Sequence, residues 1–363
     1  MTPKRRKASR PSSADVGSAA DATIDLARLL DIVAGFSRQT ICVAGDLVLD
    51  EFVSGEISRV SREAPVLILR HRCTEVYPGG AANAASNIAD LGARVIPVGA
   101  VGDDAGGDKL IELFEQKGVD VSGIFRTRGR PTTTKTRYLA GWSHTTEQQV
   151  LRVDREPAGR LPERIQRAIA RKAQEAASRA NAVLISDYGM GAAPPSLARK
   201  LKTKLLTLDS RYRLLEFRNS GVTAATPNES ELEAAYHTRV GADLQKLGEL
   251  GSRALKELGA EALVATRGKD GLSVFERSSS SARAGRQAPR HIPIYGSDAP
   301  VDVTGAGDTV IAVFTLALAA GASYLEAAHL ANYAGGLVVM KRRTATITRS
   351  ELESVLAREA AHV

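Results

Sequence analysis

The stretch Asp302–Asp308, with the sequence DVTGAGD, has the residue types and spacing that a phosphate site requires. Its three small residues, Gly305, Ala306 and Gly307, let the backbone turn tightly and direct successive N–H groups at one point. The apolar run TVIAVFTLALAA from Thr309 to Ala320 predicts a buried helix whose N-terminus lies at this turn. Unpaired N–H groups and the positive end of the helix dipole favour phosphate oxygens there.

The position of Asp308 predicts a role in proton transfer. It falls in the first turn of the expected helix, where a carboxylate can take a proton from a hydroxyl that attacks the bound phosphate. Phosphoryl transfer needs little beyond such positioning and charge stabilisation. The alternative is a glycine loop in which Asp308 only stabilises the helix, and a short Gly-rich motif alone does not decide between the two.

Polar residues near the ends of other predicted elements are further candidates. Asp50 follows the strand-like run ICVAGD, and open α/β sheets bind ligands at the carboxyl ends of their strands. The motif PGGAANAASNIADLG predicts a turn at Gly79 and Gly80 that opens a helix carrying Asn83. A ligand can approach such small residues closely, and close packing of the helix on the sheet explains them equally well.

Asn228 and Glu231 stand three residues apart at a strand-to-helix junction in TPNESELEAAY. Both can face one site, and hard oxygen ligands suit hydrated Mg²⁺. A helix cap in which Glu231 completes a capping box accounts for the same spacing, and it is the better interpretation of these two residues taken alone. In the glycine turn of VATRGKDG, Thr266 and Gly268 are placed to reach phosphate.

The elements that must position these residues alternate in type. RVIPVGAVG, DDAGGDKLIELFEQKG and the segments after Pro162 repeat a βαβ rhythm, which predicts a parallel sheet covered by helices. Short strands in residues 52–76 and a hairpin in residues 132–154 predict a second, smaller sheet. Five cations and no acid lie between Arg126 and Arg137, which favours a solvated hairpin or a partner for a sugar phosphate. Residues 278–289 are expected to be a flexible insertion.

Composition predicts a globular protein with a basic tail. The chain has 363 residues, of which 43% are hydrophobic and 25% charged. The first ten residues carry +5 of the formal net charge of +8, so residues 1–22 are expected to be a disordered tail, and nucleic-acid binding is the less favoured interpretation. Neither a secretory signal nor a membrane span is expected. Cys42 and Cys73 suit free thiols in the cytoplasm.

The order of these segments resembles the ribokinase/PfkB family of sugar kinases, from about Thr40 to Leu356. The resemblance rests on a Gly-Asp strand end, PGGAANAASNIADLGA, TPNESE, TRGKDG and DVTGAGDT. Within the family, GDLVLDEF, SRVSREAPV, PTTTKTR, QQVLRVD and ISDYGMG look most like the kinases of D-glycero-β-D-manno-heptose 7-phosphate.

The resemblance implies an α/β fold with a ribokinase-like three-layer α/β/α core and a small β-sheet lid. Residues 23–363 would form the kinase domain, with lid strands within about 52–78 and 125–154. The implied ligands are ATP, Mg²⁺, a small-molecule sugar phosphate and, as an optional cation, K⁺. The implied partner is a second copy of the chain, joined through the lid strands, and no membrane is involved.

The resemblance also assigns roles by motif. Asp308 would activate the sugar hydroxyl, while the anion hole would consist of Gly305, Ala306 and Gly307. The residues assigned to the nucleotide and its hydrated Mg²⁺ are Asn228, Glu231, Thr266, Gly268 and Asn332. Those assigned to sugar hydroxyls are Asp50, Gly79, Gly80 and Asn83, and those chosen for the sugar phosphate are Arg137, Gln149 and Arg152. Asp302 and Thr304 would lie near a monovalent cation.

Two departures from the resemblance concern the sugar. Heptose-phosphate kinases usually have DYGKG where this chain has Met190, and Asp-Pro-Lys where it has Asp209, Ser210 and Arg211. The expected reaction is phosphorylation of heptose 7-phosphate to the 1,7-bisphosphate. The alternatives are a kinase for another sugar or sugar acid, and a non-catalytic regulator that binds a sugar or nucleotide. Because the chain ends soon after the kinase segment, a fused nucleotidyltransferase module is not expected.

Overall fold

The computed structural model describes residues 24–142, 146–277, 288–297 and 299–362. The expected tail, residues 1–22, and all but the last two residues of the expected insertion, residues 278–289, lie outside the described residues. The described strands are β1 (Thr40–Gly45), β2 (Leu47–Val60), β3 (Leu67–Gly80), β4 (Arg94–Gly102), β5 (Ile124–Thr127), β6 (Thr133–Gly141), β7 (Gln148–Arg155), β8 (Ala182–Asp187), β9 (Leu206–Ser210), β10 (Ala224–Ala225), β11 (Ala262–Thr266), β12 (Leu272–Glu276) and β13 (Arg290–Ile292).

The helices follow the strands in the alternation that the sequence predicts. They are α1 (Leu26–Ala34), α2 (Ala81–Asp90), α3 (Ala105–Gln116), α4 (Glu163–Ala177), α5 (Pro195–Ala198), α6 (Glu229–Tyr236), α7 (Leu244–Leu258), α8 (Ala306–Ala319), α9 (Tyr324–Val338) and α10 (Arg349–His362).

Within the described residues, the main sheet has nine strands in the order β13-β12-β11-β10-β9-β8-β1-β4-β5. The strands from β11 to β5 are parallel, whereas β12 and β13 join one edge as antiparallel strands. Because parallel strands end at the same edge, the loops after β1, β8, β9, β10 and β11 meet there. That edge is where open α/β sheets bind ligands.

Alternate residues of the central strands enter two different hydrophobic cores. In β1, Ile41 and Val43 pack with α1, α2, α3, α8, α9 and α10, whereas Cys42 and Ala44 pack with α4, α5, α6 and α7. A buried parallel strand has this pattern because both of its faces are covered by helices. The expected three-layer α/β/α core is therefore confirmed.

A second sheet, with four strands among the described residues in the order β3-β2-β6-β7, is called the lid sheet here. β2 pairs with β3 antiparallel and with β6 parallel, and β7 adds to β6 as the second strand of the expected hairpin. β5 falls in the range expected for the lid, but it pairs with β4 in the main sheet instead. The action of this sheet as a lid stays a prediction.

The packing of α7 on β12 gives a test of the fold. Gly251 faces the ring of Phe275, and an added Cβ would overlap that ring, whereas a Cβ on Gly248 would meet only Pro289 at 3.9 Å. Gly251→Ala is expected to lower the free energy of unfolding by about 1–3 kcal/mol, because overpacking outweighs the gain in helix propensity of at most about 1 kcal/mol. Gly248→Ala, the matched control, is expected to be neutral or stabilising. Urea denaturation measures both, and equal effects of the two variants would contradict this packing.

Candidate active site

The glycine turn, residues 304–307, leads directly into α8. Gly305 has φ +80° and precedes the first helical residue, Ala306, so the helix begins three residues earlier than the apolar run predicts. Gly305 must be glycine for a second reason, since an added Cβ would overlap the side-chain amide of Asn83. Among the described residues, the N–H of Ala306 donates to Val303 O at 3.3 Å, while those of Gly307 and Asp308 have no acceptor. These two N–H groups form the anion-binding N-terminus of α8.

Asp308 lies in the first turn of α8, as expected, and is 4% exposed. Its Oδ2 accepts a hydrogen bond from Asn83 Nδ2 at 3.1 Å, and its Oδ1 accepts one from the Tyr188 hydroxyl at 2.9 Å. Burial raises the pKa of Asp308 to about 6, although these two hydrogen bonds lower it. Asp308 is therefore a carboxylate held in one orientation, with a pKa close to the range in which general bases work.

Asn83 is buried on α2, and its amide contacts the glycine turn. Besides Asp308, its Nδ2 donates to Gly305 O at 3.2 Å, and its Oδ1 accepts from Asn87 Nδ2 at 3.1 Å. The side chain expected to bind a sugar hydroxyl thus already orients the carboxylate of Asp308.

Asp50 lies in β2, where it is 4% exposed and fully paired. Its Oδ1 accepts from Arg137 at 2.7 Å, and its Oδ2 accepts from the Thr344 hydroxyl at 2.9 Å. Gly79 lies on the neighbouring strand β3, and an added Cβ there would come within 2.6 Å of Asp50 Oδ2. Gly80 has φ +56° and precedes α2. Asp50, Gly79 and Gly80 therefore share one corner of the site, as the resemblance implies.

The cations chosen for a sugar phosphate are engaged elsewhere. Arg137 is largely buried in its ion pair with Asp50, and Arg152 on β7 donates to Asp154 through two bonds of 2.9 Å. Gln149 is an exposed residue of β7 that pairs with Leu139. Arg137 and Arg152 pair directly across β6 and β7, so the structure brings these two together, but each already binds a carboxylate.

Two other cations meet at the ring of Tyr188. Lys135 Nζ lies 4.9 Å from the ring centroid, and the guanidinium carbon of Arg211 lies 6.0 Å from it. Burial lowers the pKa of Lys135, and the charge of Arg211 lowers it further. Among the described residues, neither cation forms an ion pair. The sequence indicated Lys135 as one of five nearby cations and Arg211 as a departure from the family pattern, but it did not predict that the two meet beside Asp308.

Asn228 and Glu231 form the capping box of α6. Glu231 N donates to Asn228 Oδ1 at 2.8 Å, and Asn228 N donates to Glu231 Oε2 at 2.9 Å. Burial raises the pKa of Glu231 to about 7, and burial together with the charge of Glu231 raises the pKa of the neighbouring Asp209 well above its usual range. The helix cap is confirmed, and Asp209 and Glu231 form an acid pair in the same cleft, where the charge of Arg211 partly opposes the effect of burial on both pKa values.

Two cavities meet at the glycine turn. A polar cleft of about 590 Å³ is lined by Tyr188, Asp209, Arg211 and Glu231 on one side and by the turn on the other. An apolar cavity of about 190 Å³ continues from it. Thr266, Val303 and Gly307 line both, and a Cβ added to Gly307 would meet no atom within 4 Å because the position is open.

The remaining candidates lie around the apolar cavity and behind the turn. Gly268, with φ +54°, and Asn332 line the cavity, and Asn332 Nδ2 donates to Pro293 O at 2.8 Å. Asp302 Oδ1 accepts from Thr304 N at 2.9 Å, and its Oδ2 accepts from Arg343 N at 3.0 Å. Asp302 therefore fixes the backbone of the turn.

Asp46, at the Gly-Asp strand end, supports the site without facing the cleft. Its carboxylate accepts the N–H groups of Tyr188, Met190 and Ala192 at 2.8–3.0 Å. It thereby fixes the loop that carries Tyr188. The sequence did not predict Tyr188 as a partner of Asp308. The available signal was position, since Asp46 follows β1 and Tyr188 follows β8 at the same edge of the parallel sheet.

The family model described as pfkB family carbohydrate kinase matches residues 41–351. The chain belongs to the pfkB family of carbohydrate kinases. This pfkB kinase is accordingly an ATP-dependent enzyme that phosphorylates a carbohydrate.

Curated relatives agree over most of the chain. The pfkB kinase is 39% identical over 332 residues to the bifunctional protein HldE of Mesorhizobium japonicum, which covers 90% of this chain and 64% of that protein. It is 39% identical over 317 residues to HldE of Geobacter metallireducens, a match that covers 85% of this chain and 61% of that protein. The chain thus spans less than two thirds of the length of these relatives.

Solved structures share the fold. Ribokinase of Arabidopsis thaliana complexed with ribose and ATP has a TM-score of 0.66 at 20% identity, over 88% of this chain and 98% of that chain. Escherichia coli phosphofructokinase-2 in complex with substrates and products has a TM-score of 0.69 at 18% identity, over 89% of this chain and 99% of that chain. These likenesses confirm the ribokinase-like fold of the pfkB kinase. None of the helices in the described part of the chain combines the length and apolar character of a membrane span.

The hydrogen bond from Tyr188 to Asp308 predicts a change in pH dependence. For the wild type, kcat/KM is expected to fall tenfold per unit below about pH 6, since a base must be ionised. Tyr188→Phe removes a donor to the ionised form, so the pKa of Asp308 rises. A hydrogen bond to a charged group contributes ~1.5–3 kcal/mol, so the acidic limb is expected to move up by about one to two pH units. Profiles of kcat/KM against pH for both proteins measure this shift. If the acidic limb is the same in both, Asp308 is not the group whose pKa sets that limb.

Proposed function

We propose that this pfkB kinase transfers the γ-phosphoryl group of ATP to a hydroxyl of a sugar phosphate, specifically D-glycero-β-D-manno-heptose 7-phosphate, giving the 1,7-bisphosphate. The observation that carries the proposal is the setting of Asp308. It is a buried carboxylate with a pKa of about 6, at the N-terminus of α8, beside a cleft and two cations that form no ion pair within the described part of the chain.

Asp308 accepts the proton of the attacking hydroxyl in this proposal. The N–H groups of Gly307 and Asp308, with the helix dipole behind them, stabilise the charge on the transferring phosphoryl group. Gly305 and Ala306 shape the turn, and the N–H of Ala306 is held by Val303. Positioning and charge stabilisation of this kind are most of what phosphoryl transfer requires.

The nucleotide occupies the two joined cavities. Its base fits the apolar cavity that includes Asn332, while Thr266 and Gly268 lie toward the phosphates in the polar cleft. The donor set also suits hydrated Mg²⁺, because Asp209 and Glu231 form an acid pair that a cation would neutralise. Asn228 and Glu231 would hold its water ligands, and the metal would supply charge neutralisation for the phosphates.

The sugar lies between Asp308 and the lid sheet. Asp50, Gly79, Gly80 and Asn83 surround this region, and the lid strands within residues 52–78 and 125–154 cover it. We place the distal phosphate at Lys135 and Arg211, since Arg137 and Arg152 already pair with Asp50 and Asp154. A phosphate would neutralise two cations that now repel each other.

The identity of the sugar rests on resemblance. The sequence motifs match heptose-phosphate kinases, and the relatives named bifunctional protein HldE are longer than this chain, as expected if a second module accompanies the kinase there. Met190 supplies no cation where those kinases usually have lysine, and its sulfur accepts a hydrogen bond from the Thr133 hydroxyl. A different sugar or sugar acid is the second candidate, and a non-catalytic regulator is the third.

We also propose that the enzyme binds potassium beside the glycine turn. A phosphofructokinase-2 structure with this fold is in complex with potassium, and Asp302 and Thr304 are the residues we propose near such a cation. Equal turnover in K⁺ salts and in tetramethylammonium salts would contradict this cation site.

We also propose a cytoplasmic location. Cys42 and Cys73 are free, which suits a reducing compartment.

We also propose a homodimer through the lid strands. The lid sheet exposes several apolar side chains, and an edge strand with such residues offers a surface for a second copy. These side chains are Val60, Val66, Leu67, Val150, Leu151 and Val153, each at least 42% exposed. A mass of one chain in sedimentation equilibrium would contradict this assembly.

The substrate is tested by ADP formation with Mg-ATP and a panel of sugars, each with and without a phosphate group. Heptose 7-phosphate is expected to give the highest kcat/KM. Turnover only with another sugar would overturn the heptose assignment and keep the kinase, whereas no turnover with any sugar would favour the regulator.

Lys135→Met sharpens the same experiment. Loss of one charge-assisted contact of ~1.5–3 kcal/mol is expected to raise KM for the sugar phosphate at least about tenfold, and to leave KM for unphosphorylated sugars nearly unchanged. Lys109→Met, at an exposed residue of α3, is the matched control. Equal effects on both classes of sugar would contradict the proposed phosphate site.

A further inference from the structure

Arg343 has an unusual backbone for its residue type. It lies between α9 and α10 with φ +69°, one of three non-glycine residues with positive φ among those described. Of the other two, Asn219 is a residue type enriched in this conformation, and His237 ends α6. A side chain with a Cβ adopts the left-handed region only when its surroundings hold it there. The contacts of Arg343 are therefore of interest.

The backbone of Arg343 is attached to the glycine turn. Its N–H donates to Asp302 Oδ2 at 3.0 Å, and Asp302 Oδ1 accepts the N–H of Thr304 at 2.9 Å. One carboxylate thus joins Arg343 to the residue that precedes Gly305. A displacement of Arg343 would be transmitted to the N-terminus of α8 through these two bonds.

The side chain of Arg343 extends the other way, to the lid sheet. Its Nε donates to Glu75 Oε2 on β3 at 3.1 Å. Its Nη2 donates to the Ser54 hydroxyl on β2 at 3.0 Å and to Glu147 Oε2, just before β7, at 3.2 Å. The guanidinium also stacks on the ring of Phe52, 5.2 Å from its centroid, and the side chain is only 14% exposed. A planar fork with several donors suits such a set of acceptors better than an ammonium group.

The neighbouring residue, Thr344, completes the link to the sugar corner. Its hydroxyl donates to Asp50 Oδ2 at 2.9 Å, while Arg137 on β6 holds the other oxygen of Asp50 at 2.7 Å. Two successive residues therefore connect the lid sheet, the carboxylate of the sugar corner and the glycine turn.

We infer that Arg343 is a positioning residue, which holds the lid sheet in a fixed place against the glycine turn and so keeps the sugar corner aligned with Asp308. The inference rests on the proposed function for its catalytic consequence. In this inference Arg343 acts through Asp302, Glu75, Glu147 and Ser54, and not through contact with a substrate.

The first test needs no turnover. Arg343→Ala removes the guanidinium and keeps a Cβ at the same positive φ, so backbone strain is unchanged. Amide hydrogen exchange of the full chain without substrate is expected to be at least about fivefold faster in β2, β3 and β6 of the variant, and unchanged in β8 and β9. Arg342→Ala is the matched control, since Arg342 is exposed and adjacent. If the amides of the lid sheet exchange as slowly in Arg343→Ala as in the wild type, the inference is overturned.

The second test is kinetic. Arg343→Ala is expected to raise KM for the sugar about tenfold, because the two halves of its site are misaligned, with KM for ATP within twofold of wild type. Arg343→Lys, which keeps one charged donor, is expected to restore part of the loss. A merely structural role would lower the active fraction and leave both KM values alone, and that result would also overturn the inference. No wild-type turnover with any sugar would overturn the proposed function instead, while the exchange result would still decide on Arg343.

Discussion

The burial of one carboxylate is the constraint on which the rest of this site depends. Asp308 is 4% exposed, and removal from water disfavours its ionised form, which raises its pKa to about 6. Donors from Asn83 and Tyr188 and the charge of Lys135 oppose that effect. The balance leaves a base that is ionised at neutral pH and still basic enough to accept a proton. Without those partners, burial would raise the pKa of Asp308 further.

The fold meets this requirement from several directions. Asn83 comes from α2, Tyr188 from the loop after β8, and Lys135 from the lid sheet, while the carboxylate itself begins α8. Parallel strands bring the loops to one edge, and Asp46 then fixes the loop of Tyr188 with three backbone bonds. Asp209 and Glu231 line the same cleft, and burial raises the pKa of both. Acids and cations therefore both surround the cleft beside Asp308.

Sequence was informative wherever the chemistry is local. A glycine turn before an apolar run predicted Asp308 in the first turn of a helix, and alternating elements predicted the parallel sheet. The partners of Asp308 were beyond such reasoning, because Asn83 and Tyr188 lie 225 and 120 residues away along the chain. The spacing of Asn228 and Glu231 fitted both a cap and a metal site, since the same oxygens serve either. Arg343 gave no signal, because positive φ in an arginine depends on tertiary contacts.

The most direct measurement of the central claim is the turnover of Asp308→Asn. The substitution keeps size and removes the base, so ADP formation with the best sugar is expected to fall by about 10²–10⁴-fold. Binding of a fluorescent ATP analogue, measured in parallel, is expected to stay within a few-fold of wild type, which would show a folded site. A variant that binds ATP and keeps more than about a tenth of wild-type turnover would contradict the assignment of Asp308 as the base.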